Sequence, residues 1–306
     1  MTLTNSIQRI KIGDLPAFEI RHGKAKAIIL EQGAHLVSYG IEGERPVIWD
    51  NPNAIFEKGV AVRGGIPVCW PWFGDIAWNA QQIQSMCSGS DTPSFHGLVR
   101  NVDWQVESMH VMDGGTCITF QYETTPDPAT CWQHQTRLQL SFTIGQSLTL
   151  QLITENHGTN DIAVGQALHT YYAVSDAEMV RFEGLSGVEF FDVLDGWKRK
   201  MQHEEPVITE ETTRAYIQAP DRLTMEDKGW NRRIMVSTQG TRSAVLWNPW
   251  KERALLLDQF HADSWRNMVC LETARLGDDV VLLAPGETDT MTLNISIQNL
   301  LLTAST

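Results

Sequence analysis

The sequence has 306 residues, of which 42% are hydrophobic and 20% are charged. This composition is ordinary for a globular protein and differs from that of disordered or fibrous chains. The chain has 24 Lys and Arg against 37 Asp and Glu, so its formal net charge is −13, which argues against non-specific binding to nucleic acid and against docking on an anionic membrane.

In the first third of the chain, the sequence predicts two short buried strands and then a long loop. Apolar runs at residues 27–30 and 47–49 indicate the strands. Residues 59–95 show no periodicity and are rich in Gly, Pro and Trp. A loop of this length inside a compact protein is usually functional or disordered. Because its aromatic content argues against disorder, we expect a functional segment with most of its aromatic side chains buried.

The rest of the chain is dominated by predicted strands. Alternating polar and apolar residues indicate antiparallel strands with one buried face. This pattern covers residues 118–122, 138–144, 148–152 and 291–297, with Gly145-Gln146 as the turn of a hairpin, while apolar runs at 188–191, 244–247 and 254–257 indicate more buried strands and 262–266 a short helical turn. We therefore predict one all-β domain over residues 1–306, a large antiparallel β-sandwich with few short helices.

The five cysteines are odd in number, scattered, and form no C-x-x-C pair. Neither a disulfide framework nor a zinc ribbon is therefore expected, and a reducing compartment is the simpler interpretation. No basic start followed by an apolar core resembles a secretory signal, and no run approaches the ~20 apolar residues of a membrane span. We expect a cytoplasmic protein.

Common metal and nucleotide motifs are missing from the sequence. No two of the nine histidines lie within five positions of each other, so H-x-H and H-E-x-x-H pairs do not occur. The phosphate-binding loop, the dinucleotide G-x-G-x-x-G motif and the G-x-S-x-G elbow are also missing. The sequence therefore predicts no metal and no cofactor.

Two segments combine arginine with glycine. Residues 63–74 read R-G-G-I-P-V-C-W-P-W-F-G, and residues 95–101 read F-H-G-L-V-R-N. Glycines after Arg63 would let its backbone approach a ligand closely, although a tight turn with the arginine in water is equally consistent. If Arg63 and Arg100 converge, their two planar guanidinium groups could bind a phosphate or carboxylate.

Two further segments place a titratable side chain in an apolar run. Residues 167–172 contain His169, and residues 267–274 contain Glu272. A buried histidine is often only a hydrogen-bonded core residue, whereas glutamate is almost never fully buried without a partner. The W-N-P-W segment at 247–250 ends an apolar run and would either line a pocket or cap the strand.

Together, in this order and spacing, these segments resemble the hexose-6-phosphate mutarotase (glucose-6-phosphate 1-epimerase) branch of the aldose 1-epimerase superfamily. The resemblance runs from about residue 25 to near the C-terminus, and R-G-G-[IV]-P-x-x-W-P-W-F-G is its most specific motif. It implies a galactose-mutarotase-like β-sandwich. It also implies that His169 is the general acid, that Glu272 is the general base, and that Arg63 and Arg100 bind the sugar phosphate with His96 beside them.

The resemblance implies an isomerase that interconverts the α and β anomers of a hexose 6-phosphate, with D-glucose 6-phosphate as the expected substrate. Such a monomeric enzyme needs no metal or redox cofactor, and donors near Glu272 should keep it ionised. One position departs from the pattern: relatives have an acid where this chain has Thr213, and Glu211 or Asp221 could replace it. The alternatives are a non-catalytic hexose-phosphate binding protein and a glycoside-processing enzyme, which would need two carboxylates.

Overall fold

The computed structural model describes residues 5–88, 93–127 and 130–300, and it confirms the all-β prediction. The strands are, in chain order, β1 (Ser6–Ile12), β2 (Leu15–His22), β3 (Ala25–Leu30), β4 (Leu36–Ile41), β5 (Val68–Cys69), β6 (Gln105–Met112), β7 (Gly115–Thr124), β8 (Thr136–Ile144), β9 (Leu148–Asn156), β10 (Ile162–Val164), β11 (Gln166–Leu168), β12 (Tyr171–Ala173), β13 (Val180–Glu183), β14 (Glu189–Asp192), β15 (Lys198–Met201), β16 (Thr212–Ile217), β17 (Arg222–Asp227), β18 (Arg232–Gln239), β19 (Ser243–Asn248), β20 (Met268–Arg275), β21 (Val281–Leu283) and β22 (Thr288–Asn299). The α-helices are α1 (Gln81–Gln84) and α2 (Trp250–Ala254), and short 3-10 helices lie at Ile76–Trp78, Ala177–Met179, Lys228–Trp230, Ser264–Asn267 and Gly277–Asp279.

Two eight-stranded antiparallel sheets make up most of the fold. Sheet I has the order β15-β14-β16-β19-β20-β11-β5, with β12 also paired to β20. Sheet II has the order β13-β17-β18-β22-β9-β8-β7-β6. Strands β1 to β4 form a separate four-stranded sheet, and β10 pairs with β21. The apolar core includes residues from both eight-stranded sheets and from the four-stranded sheet.

The predicted hairpin is formed by β8 and β9 of sheet II. Every second residue of β8 is buried, and Leu140 pairs with Leu152 while Phe142 pairs with Leu150. These buried residues face the core and the intervening polar residues are more exposed, as expected for strands with one solvated face. Full burial of each large apolar side chain contributes roughly 1.5–3 kcal/mol, so this alternation fixes which face of the hairpin packs inward.

Strand β20 of sheet I is covered on both faces. Val269 and Leu271 belong to the main core, whereas Met268 and Cys270 pack against residues on the other side of the sheet. A strand buried on both faces appears in a sequence as a continuous apolar run rather than as an alternation. Because side chains alternate between faces, Cys270 and Glu272 point to the side of sheet I that faces away from the main core.

Two of the predicted buried strands are wrong. Residues 47–49 make only an isolated bridge, between Ile48 and Tyr172. The 254–257 run follows helix α2, and Leu255 and Leu256 are 69% and 73% exposed. A run of a few apolar residues cannot distinguish a strand from a helix end, and here Pro249 starts a short helix instead. The expected turn at 262–266 is a 3-10 helix shifted to Ser264–Asn267.

The long loop at 59–95 contains only β5, the 3-10 helix at Ile76–Trp78 and α1, and its residues 89–92 lie outside the described residues. Trp70 and Trp72 are fully buried, as the loop's composition predicted. The single-domain prediction for 1–306 stays a prediction. Over the described part of the chain, no helix is both long and apolar enough to cross a membrane.

The expectation that the cysteines do not pair is wrong for one pair. Cys87 and Cys131 form a disulfide across a sequence separation of 44. An isolated bridge between Cys87 and Trp132 brings the segment after α1 against the segment before β8. Two cysteines so far apart in sequence become neighbours only through this tertiary contact, which spacing alone cannot indicate. Cys69, Cys117 and Cys270 are unpaired and buried.

Candidate active site

A cleft of about 990 Å³ lies on the face of sheet I that points away from the main core, and all five candidate residues line it. These are Arg63, His96, Arg100, His169 and Glu272. Side chains of β16, β19 and β20 form the cleft floor, while the 59–95 loop and the segment after α2 contribute to its walls. The structure therefore brings together residues that the sequence places in four separate segments.

Strand pairing places His169 opposite Glu272. Leu168 of β11 pairs with Thr273 and Tyr171 of β12 pairs with Cys270, so His169 lies between two points at which the chain is held against β20. Its backbone N–H donates to the carbonyl oxygen of Pro67 at 3.0 Å. As a result, His169 Nε2 lies 3.4 Å from Glu272 Oε1, and both side chains are buried. We refer to His169 and Glu272 as the acid–base pair.

Aromatic rings fix the imidazole of His169. Its centroid lies 4.8 Å from the Tyr171 ring at an interplanar angle of 13° and 6.3 Å from the Phe73 ring at 30°. Among the described residues, neither His169 Nδ1 nor Glu272 Oε2 has a hydrogen-bond partner. A core histidine with a purely structural role would have satisfied both nitrogens. This pair instead leaves a nitrogen and an oxygen unsatisfied beside a cleft.

Burial dominates the protonation of the acid–base pair. It lowers the pKa of His169 well below its usual value, and the nearby charges of Arg100 and Arg63 lower this pKa further. Burial also raises the pKa of Glu272 well above its usual value, and Arg100 opposes this only in part. The donors expected to keep Glu272 ionised are not seen at its Oε2 among the described residues, and the charge of Arg100 offsets the desolvation only in part.

His96 is held as a neutral imidazole against the acid–base pair. The backbone N–H of Gly74 donates to His96 Nδ1 at 3.0 Å, so in the neutral ring the hydrogen is on Nε2. Burial lowers the pKa of His96 well below its usual value. Its ring centroid lies 5.3 Å from that of His169. The turn requires Gly97, where φ is +85° and a Cβ atom would lie 2.0 Å from a backbone oxygen of the neighbouring loop.

Arg63 is anchored from the opposite wall of the cleft. Its Nε donates to the carbonyl oxygen of Asp258 at 2.7 Å, and its backbone N–H donates to Gln259 Oε1 at 3.3 Å. The amide of Gln259 also donates to the carbonyl oxygen of Ala61, while the amide of Asn51 donates to that of Arg63. No ion pair involves Arg63 within the described ranges, so its two terminal nitrogens are available to a ligand.

Gly64 and Gly65 serve packing rather than ligand approach. Both have positive φ, and a Cβ atom on Gly65 would lie 2.3 Å from the carbonyl oxygen of Leu36 in β4. The interpretation that these glycines let the backbone approach a ligand is therefore wrong, because the space that they leave is filled by the protein. The alternative of a tight turn is correct for the backbone, although Arg63 lines the cleft rather than pointing only into water.

Arg100, in the segment that follows the 59–95 loop, also lines the cleft. Its Nε is buried and has no hydrogen-bond partner among residues 5–88, 93–127 and 130–300. Its charge lowers the pKa of both members of the acid–base pair, which places the guanidinium within electrostatic reach of each. Arg100 as a whole is only partly buried, but a buried N–H without a partner is costly, so an anion that accepts from Nε would remove this cost.

Two candidates for the carboxylate missing at Thr213 separate clearly in space. Thr213 and Glu211 both line the cleft, since residues two apart along an extended chain face the same side. Asp221 is not among the residues that line it. Burial raises the pKa of Glu211, and the charge of Arg253 across the cleft opposes this rise.

Some cleft residues were not assigned from the sequence. Within the W-N-P-W segment, Trp247 lines the cleft, whereas Trp250 packs against Trp265 beyond the end of β19. The segment therefore both lines a pocket and covers the end of the strand. Tyr171 also lines the cleft and lies two residues from His169, so strand alternation could have identified it. Cys270 lies two residues from Glu272 but is fully buried and is not among the residues that line the cleft. Arg253 gave no local signal, because the wrong strand interpretation at 254–257 concealed that this segment borders the cleft.

The chain was compared with known proteins. Its sequence matches the profile of the aldose 1-epimerase family over residues 16–296. It is 32% identical over 269 residues to a candidate glucose-6-phosphate 1-epimerase of Escherichia coli (strain K12), covering 88% of this chain and 86% of that one. It is 31% identical over 272 residues to one of Salmonella typhimurium, covering 89% and 87%. Among solved structures, a candidate mutarotase from Salmonella typhimurium superposes with a TM-score of 0.86 at 27% identity, covering 97% of this chain and 95% of that chain.

Proposed function

The chain belongs to the aldose 1-epimerase family, and from that premise we propose that it interconverts the α and β anomers of a hexose 6-phosphate, with D-glucose 6-phosphate as the favoured substrate. One cleft combines an acid–base pair that has unsatisfied atoms with two guanidinium groups that have no ion pair to any described residue, and this combination carries the proposal. The acid–base pair would catalyse the anomerisation, and the two guanidinium groups would bind the phosphate.

The acid–base pair supports ring opening and closure. One group removes the proton of the anomeric hydroxyl while the other protonates the ring oxygen, so the C1–O5 bond breaks and an aldehyde forms. Rotation about C1–C2 and the reverse transfers close the ring on the other face. The two oxygens on an anomeric carbon are near enough to contact both His169 Nε2 and Glu272 Oε1, which are 3.4 Å apart. Proton transfer by positioned groups typically contributes ~10²–10⁴-fold.

The pair needs only one proton to complete this cycle. Each turnover returns that proton to its starting group, so the total charge of the pair does not change. We assign His169 as the acid toward the ring oxygen and Glu272 as the base toward the anomeric hydroxyl. This assignment requires His169 to be protonated and Glu272 to be ionised when the sugar is bound, which burial opposes in both side chains. Phosphate bound to Arg63 and Arg100 would assist, since neutralising these charges removes an influence that lowers the pKa of His169.

Phosphate binding follows from the two arginines. The Nε–H of Arg63 donates to the carbonyl oxygen of Asp258, which orients the guanidinium and leaves the N–H groups of its two terminal nitrogens as donors. Arg100 has a buried Nε that gains a partner if an anion binds. Hydrogen bonds to charged groups are worth about 1.5–3 kcal/mol each, so two such contacts would overcome the unfavourable net charge of −13.

Glu211 is the carboxylate that we assign to the sugar hydroxyls. It lines the cleft together with Thr213, which lacks a charge but can donate and accept a hydrogen bond. A carboxylate accepts hydrogen bonds from two adjacent hydroxyls, which would fix the ring orientation relative to the acid–base pair.

Magnetisation-exchange NMR of the two anomers tests the proposal directly. The protein should accelerate α–β exchange of glucose 6-phosphate well above the rate in buffer, and Glu272→Gln should abolish this acceleration. A non-catalytic binding protein would shift or broaden the resonances of the sugar phosphate without accelerating exchange. That result would refute the catalytic assignment while leaving phosphate recognition intact.

A further inference from the structure

Cys270 is a buried thiol beside the acid–base pair that mutarotation does not use. It is fully buried on β20, two residues from Glu272 and on the same face of the strand. One donor atom each from His169, Cys270 and Glu272 lie within 4.8 Å of one another. The group thus offers an imidazole nitrogen, a sulfur and a carboxylate oxygen around one point next to the cleft.

We propose that His169, Cys270 and Glu272 form an inhibitory site for a borderline-soft divalent cation such as Zn²⁺, with the fourth ligand position open to water. Nitrogen, sulfur and carboxylate oxygen are the donors that zinc takes in proteins, whereas Mg²⁺ and Ca²⁺ take oxygen alone. The inhibition rests on the proposed function, since the metal would occupy both members of the acid–base pair. The binding itself does not depend on that function.

The distances suit a tetrahedral ion. Ligands at about 2.0–2.1 Å from a tetrahedral zinc lie roughly 3.4 Å apart, and His169 Nε2 and Glu272 Oε1 are separated by 3.4 Å. A sulfur at ~2.3 Å from the ion would lie roughly 3.6 Å from each of them. Because the three donor atoms already lie within 4.8 Å of one another, the Cys270 sulfur needs to move by at most about 1.2 Å to reach this geometry. Glu272 Oε2 and His169 Nδ1 have no partner within the described part of the chain, so no hydrogen bond to those atoms opposes the adjustment.

The charge balance also suits the ion despite the nearby arginines. Binding converts the Cys270 thiol to a thiolate, and its proton leaves to solvent; any proton on Glu272 leaves in the same way. A divalent cation with one thiolate and one carboxylate has no net charge. Arg63 and Arg100 therefore face a neutral centre rather than an added positive charge, and the cleft gives the ion a path from solvent.

Cobalt(II) spectroscopy of the intact protein tests the site independently of turnover. Titration with Co²⁺ should give a near-ultraviolet thiolate-to-cobalt absorption band that saturates at one equivalent. Cys270→Ser and Cys270→Ala should both lose the band, with folding checked by near-ultraviolet circular dichroism. Cys117→Ser removes a buried thiol from β7 of sheet II and should keep it. A band that is missing from the wild type, or that survives in the Cys270 variants, would overturn the proposal.

Cys69 provides a second discriminating variant, because its sulfur lies 3.3 Å from His96 Nδ1. Loss of the band in Cys69→Ser but not in Cys270→Ser would assign the metal to another site. With Zn²⁺, anomer exchange by the wild type should be inhibited competitively with the sugar and restored by a chelator. The Cys270 variants should need at least about tenfold more Zn²⁺, since even loss of a residue supporting a metal ligand typically costs 10–100-fold in affinity. Equal zinc sensitivity would contradict the site, whereas a cobalt band without any mutarotase activity would refute only the proposed function.

Discussion

Removal of the Arg63 guanidinium should separate recognition of the phosphate from chemistry at the anomeric carbon. Arg63→Met keeps most of the aliphatic stem but deletes the terminal nitrogens that are available to a ligand and the Nε that bonds Asp258. One lost hydrogen bond to a charged group costs about 1.5–3 kcal/mol, which corresponds to roughly a 10- to 150-fold fall in kcat/KM for glucose 6-phosphate. The loss should appear mainly in KM, because the phosphate is bound equally in the ground and transition states.

The assay is α–β exchange measured by NMR on glucose 6-phosphate and on glucose, in parallel and at the same pH. Activity on glucose should be retained within a few-fold, since that sugar has no phosphate for the guanidinium to bind. The matched control is Arg181→Met, which removes an exposed arginine from β13 of sheet II and should change neither activity. Equal losses on both sugars would refute the anchoring role and would indicate that Arg63 acts on the acid–base pair instead.

The pH dependence of the same variant gives a second measure. The charge of Arg63 contributes to the lowered pKa of His169, after burial and Arg100. Deleting it should therefore raise that pKa, and the limb of the rate profile that is set by the protonation of His169 should move to higher pH with either sugar. Movement of that limb to lower pH would contradict the electrostatic description of the cleft.

Three other predictions concern the pair and the stability of the fold. Because His169 and Glu272 lie 3.4 Å apart and act together on one anomeric centre, His169→Gln and Glu272→Gln should each lower anomer exchange by ~10²–10⁴-fold and the double variant by about the same factor. Losses that multiply in the double variant would contradict this coupling. Burial lowers the pKa of His35 to about 3, so as the pH falls the unfolded state binds a proton before the folded state does. This residue should therefore lower the unfolding free energy by about 2.7 kcal/mol between pH 7.5 and pH 4.5. The unfolding free energy of His35→Gln, measured with urea, should lack this pH-dependent decrease. If the variant and the wild type showed the same pH dependence, the contribution of His35 would be refuted. Replacing Cys87 and Cys131 by Ser opens a loop with a sequence separation of 44 and should lower the unfolding free energy by about 4 kcal/mol; a loss below 1 kcal/mol would show that the bond does not constrain the unfolded chain.

Much of the fold could be predicted because its signals are local. The alternation through β8 and β9 follows from which face of each strand is buried, and it is visible in any window of a few residues. The failures at 47–49 and 254–257 share a cause, since a few apolar residues fit a strand, a bridge or a helix end equally well. The disulfide between Cys87 and Cys131 failed for another reason, because it depends on a contact between distant segments.

The site could be predicted in its residues but not in its physics. His169 and Glu272 were found from their segments, yet their 3.4 Å approach depends on the pairing of β11 and β12 with β20. The upward shift of the Glu272 pKa could not be predicted, because the burial that causes it is a property of the assembled sheet. The sequence could not decide between ligand approach and a tight turn for Gly64 and Gly65, since the atoms that fill the space beside them belong to residues 35–37 and to residues 49 and 51.

The side chain of Gln259 connects two stretches of the chain that are distant in sequence, because its amide bonds the backbone at Ile55, Ala61 and Arg63. The direction of the Arg63 guanidinium is therefore set partly by a residue 196 positions downstream. Grafting the R-G-G segment alone onto a related scaffold would therefore transfer the arginine without the Gln259 contact that orients it. Substrate preference should accordingly transfer only when both stretches are exchanged together, and chimaeras with a single crossover between them should discriminate poorly.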